Sequence, residues 1–238
     1  MGMRASFPRH IERLTTPVGR VLGATGVRPN HLTVMGLVLT SVAAFLVANV
    51  RPVAGAWVLV AGGLMDSLDG AVARARQTST PYGAFLDSVS DRLSDGIILV
   101  GLAWWLRPDA SLFGLVLVAL VTSQVTSYVR AKAEAIELEC SVGLLERAER
   151  AILVILALLL HRWLLTPVLW ILAVGGTVTV VQRIHHVWCQ IERDVPPELL
   201  GLTLGNRAWN RAYRAAARAF FGEPTFEEAE RQQVEGMQ

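Results

Sequence analysis

Six stretches of this chain, at roughly 31–50, 53–73, 84–106, 110–130, 147–165 and 166–184, are apolar over long runs. A helix needs about 20 such residues to cross a bilayer. In lipid every backbone N–H and C=O must be satisfied inside the segment, and a helix does this unaided. The spans therefore predict an all-α integral membrane fold of six transmembrane helices. Hydrophobic residues make up 53% of the 238, which suits such a fold better than a soluble domain with alternating faces.

The charges orient the spans. The connections on one side carry only Arg51, Arg107 and Arg162, whereas the other side carries Arg74, Arg76, Arg130, Lys132, Arg147, Arg150 and Arg183. Basic residues accumulate on the cytoplasmic side of a membrane. The asymmetry predicts a multi-pass protein of the cell membrane with both termini cytoplasmic. The first 30 residues hold Arg4, Arg9, Arg13, Arg20 and Arg28 without a compact apolar region, so no cleavable signal peptide is expected. Phe7, Ile11, Leu14 and Val18 recur at helical spacing there, as in an amphipathic helix lying on the membrane surface.

After Pro196-Pro197, Arg207, Arg211, Arg214 and Arg218 face away from Trp209, Tyr213 and Phe220, the pattern of a second amphipathic segment. The expected organisation is a membrane domain over residues 1–195 and a cytoplasmic tail over 196–238. A net charge of +2 excludes nucleic-acid binding as an organising theme. Lys132 is the single lysine among 22 basic residues, a bias that points to a GC-rich bacterial or archaeal genome. Cys140 and Cys189 match no metal or redox spacing.

Charged side chains within membrane helices are costly and mark function. Asp66, Asp69, Gly70, Ala73 and Arg74 share one face of the second span, at offsets 0, 3, 4, 7 and 8. Gly83, Asp87 and Asp91 share one face of the third, at offsets 0, 4 and 8. The connection between them is short, so the two helices are antiparallel neighbours whose carboxylates face each other. Four convergent carboxylates need a counter-charge. Their hard oxygens suit Mg2+ or Mn2+, two of which could clamp a diphosphate. Helix-to-helix glue, or pairing with Arg74 and Arg92, is the plainer reading, but it does not call for four carboxylates in register.

The pattern Asp66-x2-Asp69-Gly70-x2-Ala73-Arg74-x8-Gly83-x3-Asp87-x3-Asp91 resembles the signature of the CDP-alcohol phosphotransferases. The resemblance implies that Asp66, Asp69, Asp87 and Asp91 bind two metal ions and that Asp91 is also the general base. It implies that Asp69, Gly70, Ala73, Arg74 and Gly83 line the CDP-lipid site. Asn30, in a Pro29-Asn30 pair before the first span, joins that set, although a plain helix cap fits it equally. The implied reaction moves a phosphatidyl group from CDP-diacylglycerol to an alcohol and releases CMP. A homodimer is also expected.

The acceptor must be read from other basic residues. Arg130 ends the fourth span, Arg147 and Arg150 open the fifth, and Arg183 ends the sixth. Clustered arginines at partly desolvated positions suit a phosphate dianion, although anchoring of span ends also places arginines there. Within the family, Phe85-Leu86-Asp87-Ser88-x2-Asp91-Arg92, Ser127–Glu134 and Glu146–Arg150 resemble the branch that makes phosphatidylinositol phosphate. That likeness implies inositol 1-phosphate as acceptor, held by Arg130, Arg147 or Arg150, and Arg183. Glycerol 3-phosphate would use the same phosphate logic, and L-serine stands further off. A membrane cation transporter is the alternative of another class, but it would favour midplane carboxylates flanked by broken helices.

Overall fold

The computed structural model describes residues 29–76 and 80–194. The expected surface helix before residue 29, the amphipathic segment at 206–221 and the domain boundary at 195 lie outside the described residues. So does the tip of the connection between the second and third spans.

Among the described residues the fold is helical throughout: α1 Pro29–Ala48, α2 Pro52–Arg76, α3 Pro81–Leu106, α4 Ala110–Glu134, α5 Arg147–Leu159 and α6 His161–Asp194. Local chemistry sets several starts. Thr80 caps α3, its hydroxyl accepting from the Gly83 N–H at 3.0 Å, and Pro81 follows at a position where a missing N–H costs nothing. Asp109 opens α4 by accepting from the Ser111 and Leu112 N–H groups, both at 3.0 Å. Among the described residues, four helices are long and apolar enough to cross a membrane: 29–48, 52–73, 110–134 and 161–191. α3 is long enough at 26 residues but carries Asp87, Asp91, Arg92 and Asp95.

The last two spans differ from expectation. The break falls at Leu160, not between 165 and 166, leaving α5 with 13 residues and α6 with 34. At 1.5 Å per residue α5 covers about 20 Å, less than the ~30 Å hydrocarbon layer. Pro167 lies inside α6 rather than at its start. Its missing donor falls in the first two turns, where the Trp163 and Leu164 N–H groups both reach back to the Leu160 carbonyl.

The chain divides into two compact units. The first takes residues up to Tyr128 together with Leu144–Thr179, and the second takes Val129–Gly143 and the chain from Val180 onward. In the first, α1 runs antiparallel to α2. Gly36 meets Gly62 near one end, and Gly55 meets Ala43 and Val47 near the other. α1 and α3 meet as closely at Gly101, where a Cβ would lie 2.6 Å from the Ala44 carbonyl oxygen. Small residues at such points let helix backbones touch, which is how helices associate in lipid. The core of this unit is apolar, with Val47, Leu102, Val116, Leu158 and Leu169 fully buried. Its outside is apolar too, with Phe45, Trp57, Trp104 and Trp163 each more than half exposed.

Candidate active site

The starts of α1, α3 and α5 and the end of α2 meet at one end of the first unit. Asp66, Asp69 and Asp87 converge there: each offers a carboxylate oxygen, and the three oxygens lie within 4.8 Å of one another. Asp69 is buried and accepts a hydrogen bond from the Thr33 hydroxyl of α1. A bond of this kind orients a ligand carboxylate from behind. Three hard oxygens at this separation fit a divalent ion such as Mg2+ or Mn2+, and they would hold it from two helices.

Asp91 lies beside this trio rather than within it. Its Oδ1 pairs with Arg147 Nη2 at 2.8 Å, and the same guanidinium reaches Asp66 through Nη1 at 3.0 Å. Arg147 therefore bridges the carboxylates of α2 and α3 from the first turn of α5. Arg150, one turn further on, is buried and donates to Asp95 Oδ2 at 2.8 Å and to the Leu145 carbonyl at 3.2 Å. A cavity of about 100 Å³ opens between these groups. Asp66, Asp95, Ser123, Arg147 and Arg150 line its polar part, and Ile98, Leu99, Val154 and Leu172 its apolar part.

The remaining expected residues are placed as follows. Gly70 and Ala73 lie on α2 beyond Asp69, both partly exposed. Arg74 belongs to α2, but its side chain is not among those described. Gly83 sits where a Cβ would come within 3.1 Å of the Thr80 hydroxyl and 3.5 Å of the Asn30 carboxamide oxygen. Asn30 thus reaches the start of α3. Arg130 and Arg183 belong to the second unit. Arg130 pairs with Glu134 at 2.8 Å on an exposed surface, whereas Arg183 is buried and donates through Nε to the Val142 carbonyl at 2.8 Å.

Three residues of this cluster were not singled out from the sequence: Thr33, which holds Asp69, and two others. Asp95 continues the four-residue step of Gly83, Asp87 and Asp91 by one more turn, and that continuation was the available signal. Ser123, whose hydroxyl donates to Asp95 Oδ2 at 3.4 Å, gave none.

The comparisons agree with this geometry. The family model described as CDP-alcohol phosphatidyltransferase matches residues 27–182. The phosphatidylinositol phosphate synthase of Mycobacterium tuberculosis (strain ATCC 25618 / H37Rv) is 39% identical over 196 residues, 78% of this chain and 88% of the relative. The archaetidylinositol phosphate synthase of Methanothermobacter thermautotrophicus is 39% identical over 169 residues, 68% of this chain and 84% of the relative. Among solved structures, the M. tuberculosis synthase with CDP-DAG bound superposes with a TM-score of 0.70 at 40% identity, covering 74% of this chain and 94% of that one. The same synthase in complex with manganese and citrate gives 0.69 at 39% identity, covering 73% and 88%. With its aspartate signature intact and its matched region running from the start of α1 into α6, this chain belongs to the CDP-alcohol phosphatidyltransferase family, whose members are membrane enzymes.

Proposed function

We propose that this chain transfers the phosphatidyl group of CDP-diacylglycerol to inositol 1-phosphate, giving phosphatidylinositol phosphate and CMP. The observation that carries the reading is the juxtaposition of a three-carboxylate cluster with two arginines of α5 at one end of one compact unit. It is joined by similarity at 39% identity to synthases named for that product. Glycerol 3-phosphate would present the same phosphate to the same arginines and is the second reading. The family itself removes the transporter alternative.

Asp66, Asp69 and Asp87 would hold divalent ions, with Asp91 touching the second. Bound there, such ions neutralise the diphosphate and stabilise the leaving oxygen. The chain's own groups do the rest. Thr33 fixes Asp69. Asn30, Gly70, Ala73, Arg74 and Gly83 form the donor side. Asp91 takes the proton of the acceptor hydroxyl, whose oxygen attacks the phosphorus carrying the lipid while the bond to the CMP oxygen breaks. Arg147 and Arg150 bind the acceptor phosphate, where guanidinium forks match its oxygens.

In the membrane the chain passes six times with both termini cytoplasmic, the short α5 making the fifth pass. Two features support this. α5 begins at the depth of the aspartates rather than at the surface, and Trp163, 81% exposed just after its end, fits an interfacial anchor. The second amphipathic segment and a homodimer complete the reading. The test is an acceptor panel. Purified protein, CDP-diacylglycerol and Mn2+ are offered inositol 1-phosphate, glycerol 3-phosphate, L-serine and free inositol, and CMP release is counted. Turnover with inositol 1-phosphate alone supports the reading. A preference for glycerol 3-phosphate transfers it to the second.

A further inference from the structure

Arg147 is claimed by three carboxylates at once. Nη1 lies 3.0 Å from Asp66, Nη2 lies 2.8 Å from Asp91, and Nε lies 3.7 Å from Asp95 Oδ1. The Nε atom is buried and completes no hydrogen bond at that separation. Asp66 is also one of the three converging carboxylates. A guanidinium and a divalent cation on one carboxylate compete for the same lone pairs and repel each other, more strongly where water is scarce. A cation site with an arginine on one of its ligands is therefore weakened unless the arginine has somewhere else to go.

Asp95 is that place. It lies one turn beyond Asp91, outside the aspartate signature, and is held from two other helices by Arg150 at 2.8 Å and Ser123 at 3.4 Å. Its Oδ1 lies on the side of Arg147, and both residues line the same cavity, which leaves space beside the guanidinium. We propose that Asp95 is a positioning residue. Together with Asp91 it anchors Arg147 away from Asp66, so that the guanidinium yields Asp66 to a divalent cation. The proposal rests on the reading that Asp66 faces the cation, and the test separates the two.

The probe is Mn2+ alone, titrated into the full-length protein in detergent without substrates, with free Mn2+ followed by electron paramagnetic resonance. Arg147→Gln removes the competitor and should tighten Mn2+ binding, and Asp95→Asn strands Arg147 on Asp66 and should weaken it, each by roughly three- to thirtyfold. Asp95→Glu should restore wild-type binding. In the Arg147→Gln background, Asp95→Asn should change the midpoint by less than about twofold, since contacts that share one partner do not add. A loss that persists undiminished in that background would mean simple loss of negative charge and would overturn the proposal. So would unchanged or weaker binding in Arg147→Gln, which decides the matter alone if Asp95→Asn does not fold. Asp66→Asn is the control. If it binds Mn2+ as the wild type does, the cation reading itself falls. If it does not, while Arg147→Gln and Asp95→Asn match the wild type, only the role of Asp95 falls.

Discussion

The two halves of α3 follow opposite rules. From Pro81 to Asp95 the helix carries Asp87, Asp91, Arg92 and Asp95, all partly exposed, and three of the four are acids at four-residue spacing. From Gly96 to Leu106 it carries no charge, and Ile98, Leu99, Leu102, Ala103 and Leu106 are buried in the core. Like charges one turn apart destabilise a helix by about 0.2–0.5 kcal/mol per pair, so the first half works against its own charges. The second half is clamped to α1 at Gly101 and Ala44 and to the core around Leu102. The arginines of α5 supply the counter-charge to the first. Packing at one end lets electrostatic strain be held at the other, where chemistry needs it.

Substitutions at the two ends should therefore fail in different ways. The largest effect is expected at the carboxylates. Asp66→Asn, Asp69→Asn or Asp87→Asn each removes a carboxylate from the cluster proposed to hold the cation, and ion-assisted charge stabilisation is worth several kcal/mol. Activity should fall on the order of a thousandfold or more, with thermal stability in detergent preserved. CMP release and a melting curve on the same preparation check both halves of the statement. Near-normal turnover in any two of the three variants would detach the cluster from the reaction.

Leu102→Ala should do the reverse. Leu102 is 1% exposed, and truncating a buried leucine typically costs about 2–5 kcal/mol through lost contacts and the cavity left behind. The melting temperature should drop while turnover per folded molecule stays close to wild type. If turnover collapses with intact folding, the two halves of α3 are not separable.

How much of this was legible in the sequence depends on distance along the chain. The aspartate register was legible because Asp66 and Asp69, and Asp87 and Asp91, are local pairs on single helices joined by a short connection. The partners of those carboxylates were not legible: Arg147 contacts Asp66 across 81 residues, and Arg150 contacts Asp95 across 55. Positive-inside anchoring predicts arginines at 147 and 150 whether or not they touch an acid. The break between α5 and α6 was missed for a related reason. Between 155 and 170 the residue that punctuates helices is Pro167, yet the chain turns at Leu160, a leucine with no breaking propensity of its own. The arginines test this directly. Arg147→Gln, Arg150→Gln and Arg183→Gln should raise the KM for the acceptor where a phosphate contact is lost, at about 1.5–3 kcal/mol per charge-assisted bond. That corresponds to roughly 10- to 100-fold. The KM for CDP-diacylglycerol should hold. Unchanged acceptor KM in all three would remove the phosphate pocket and leave Arg147 and Arg150 as partners of the carboxylates alone.

The smallest effect is expected where the two halves of α3 meet. Ser123 of α4 donates to Asp95 Oδ2 at 3.4 Å, long for a hydroxyl bond, and that oxygen already accepts from Arg150 at 2.8 Å. Ser123 is buried, with 3% of its surface exposed, so Ser123→Ala leaves no cavity larger than one oxygen. A well-formed bond to a charged group is worth about 1.5–3 kcal/mol, but at 3.4 Å, to an oxygen already held by Arg150, this one falls well below that range. Ser123→Ala should therefore lower stability by under about 1 kcal/mol and move turnover less than about threefold. The reason is that Arg150, and not Ser123, fixes Asp95. A loss as large as that of an aspartate variant would show that the hydroxyl is a working part of the polar half, and the boundary drawn at Asp95 would have to move one helix further into the core.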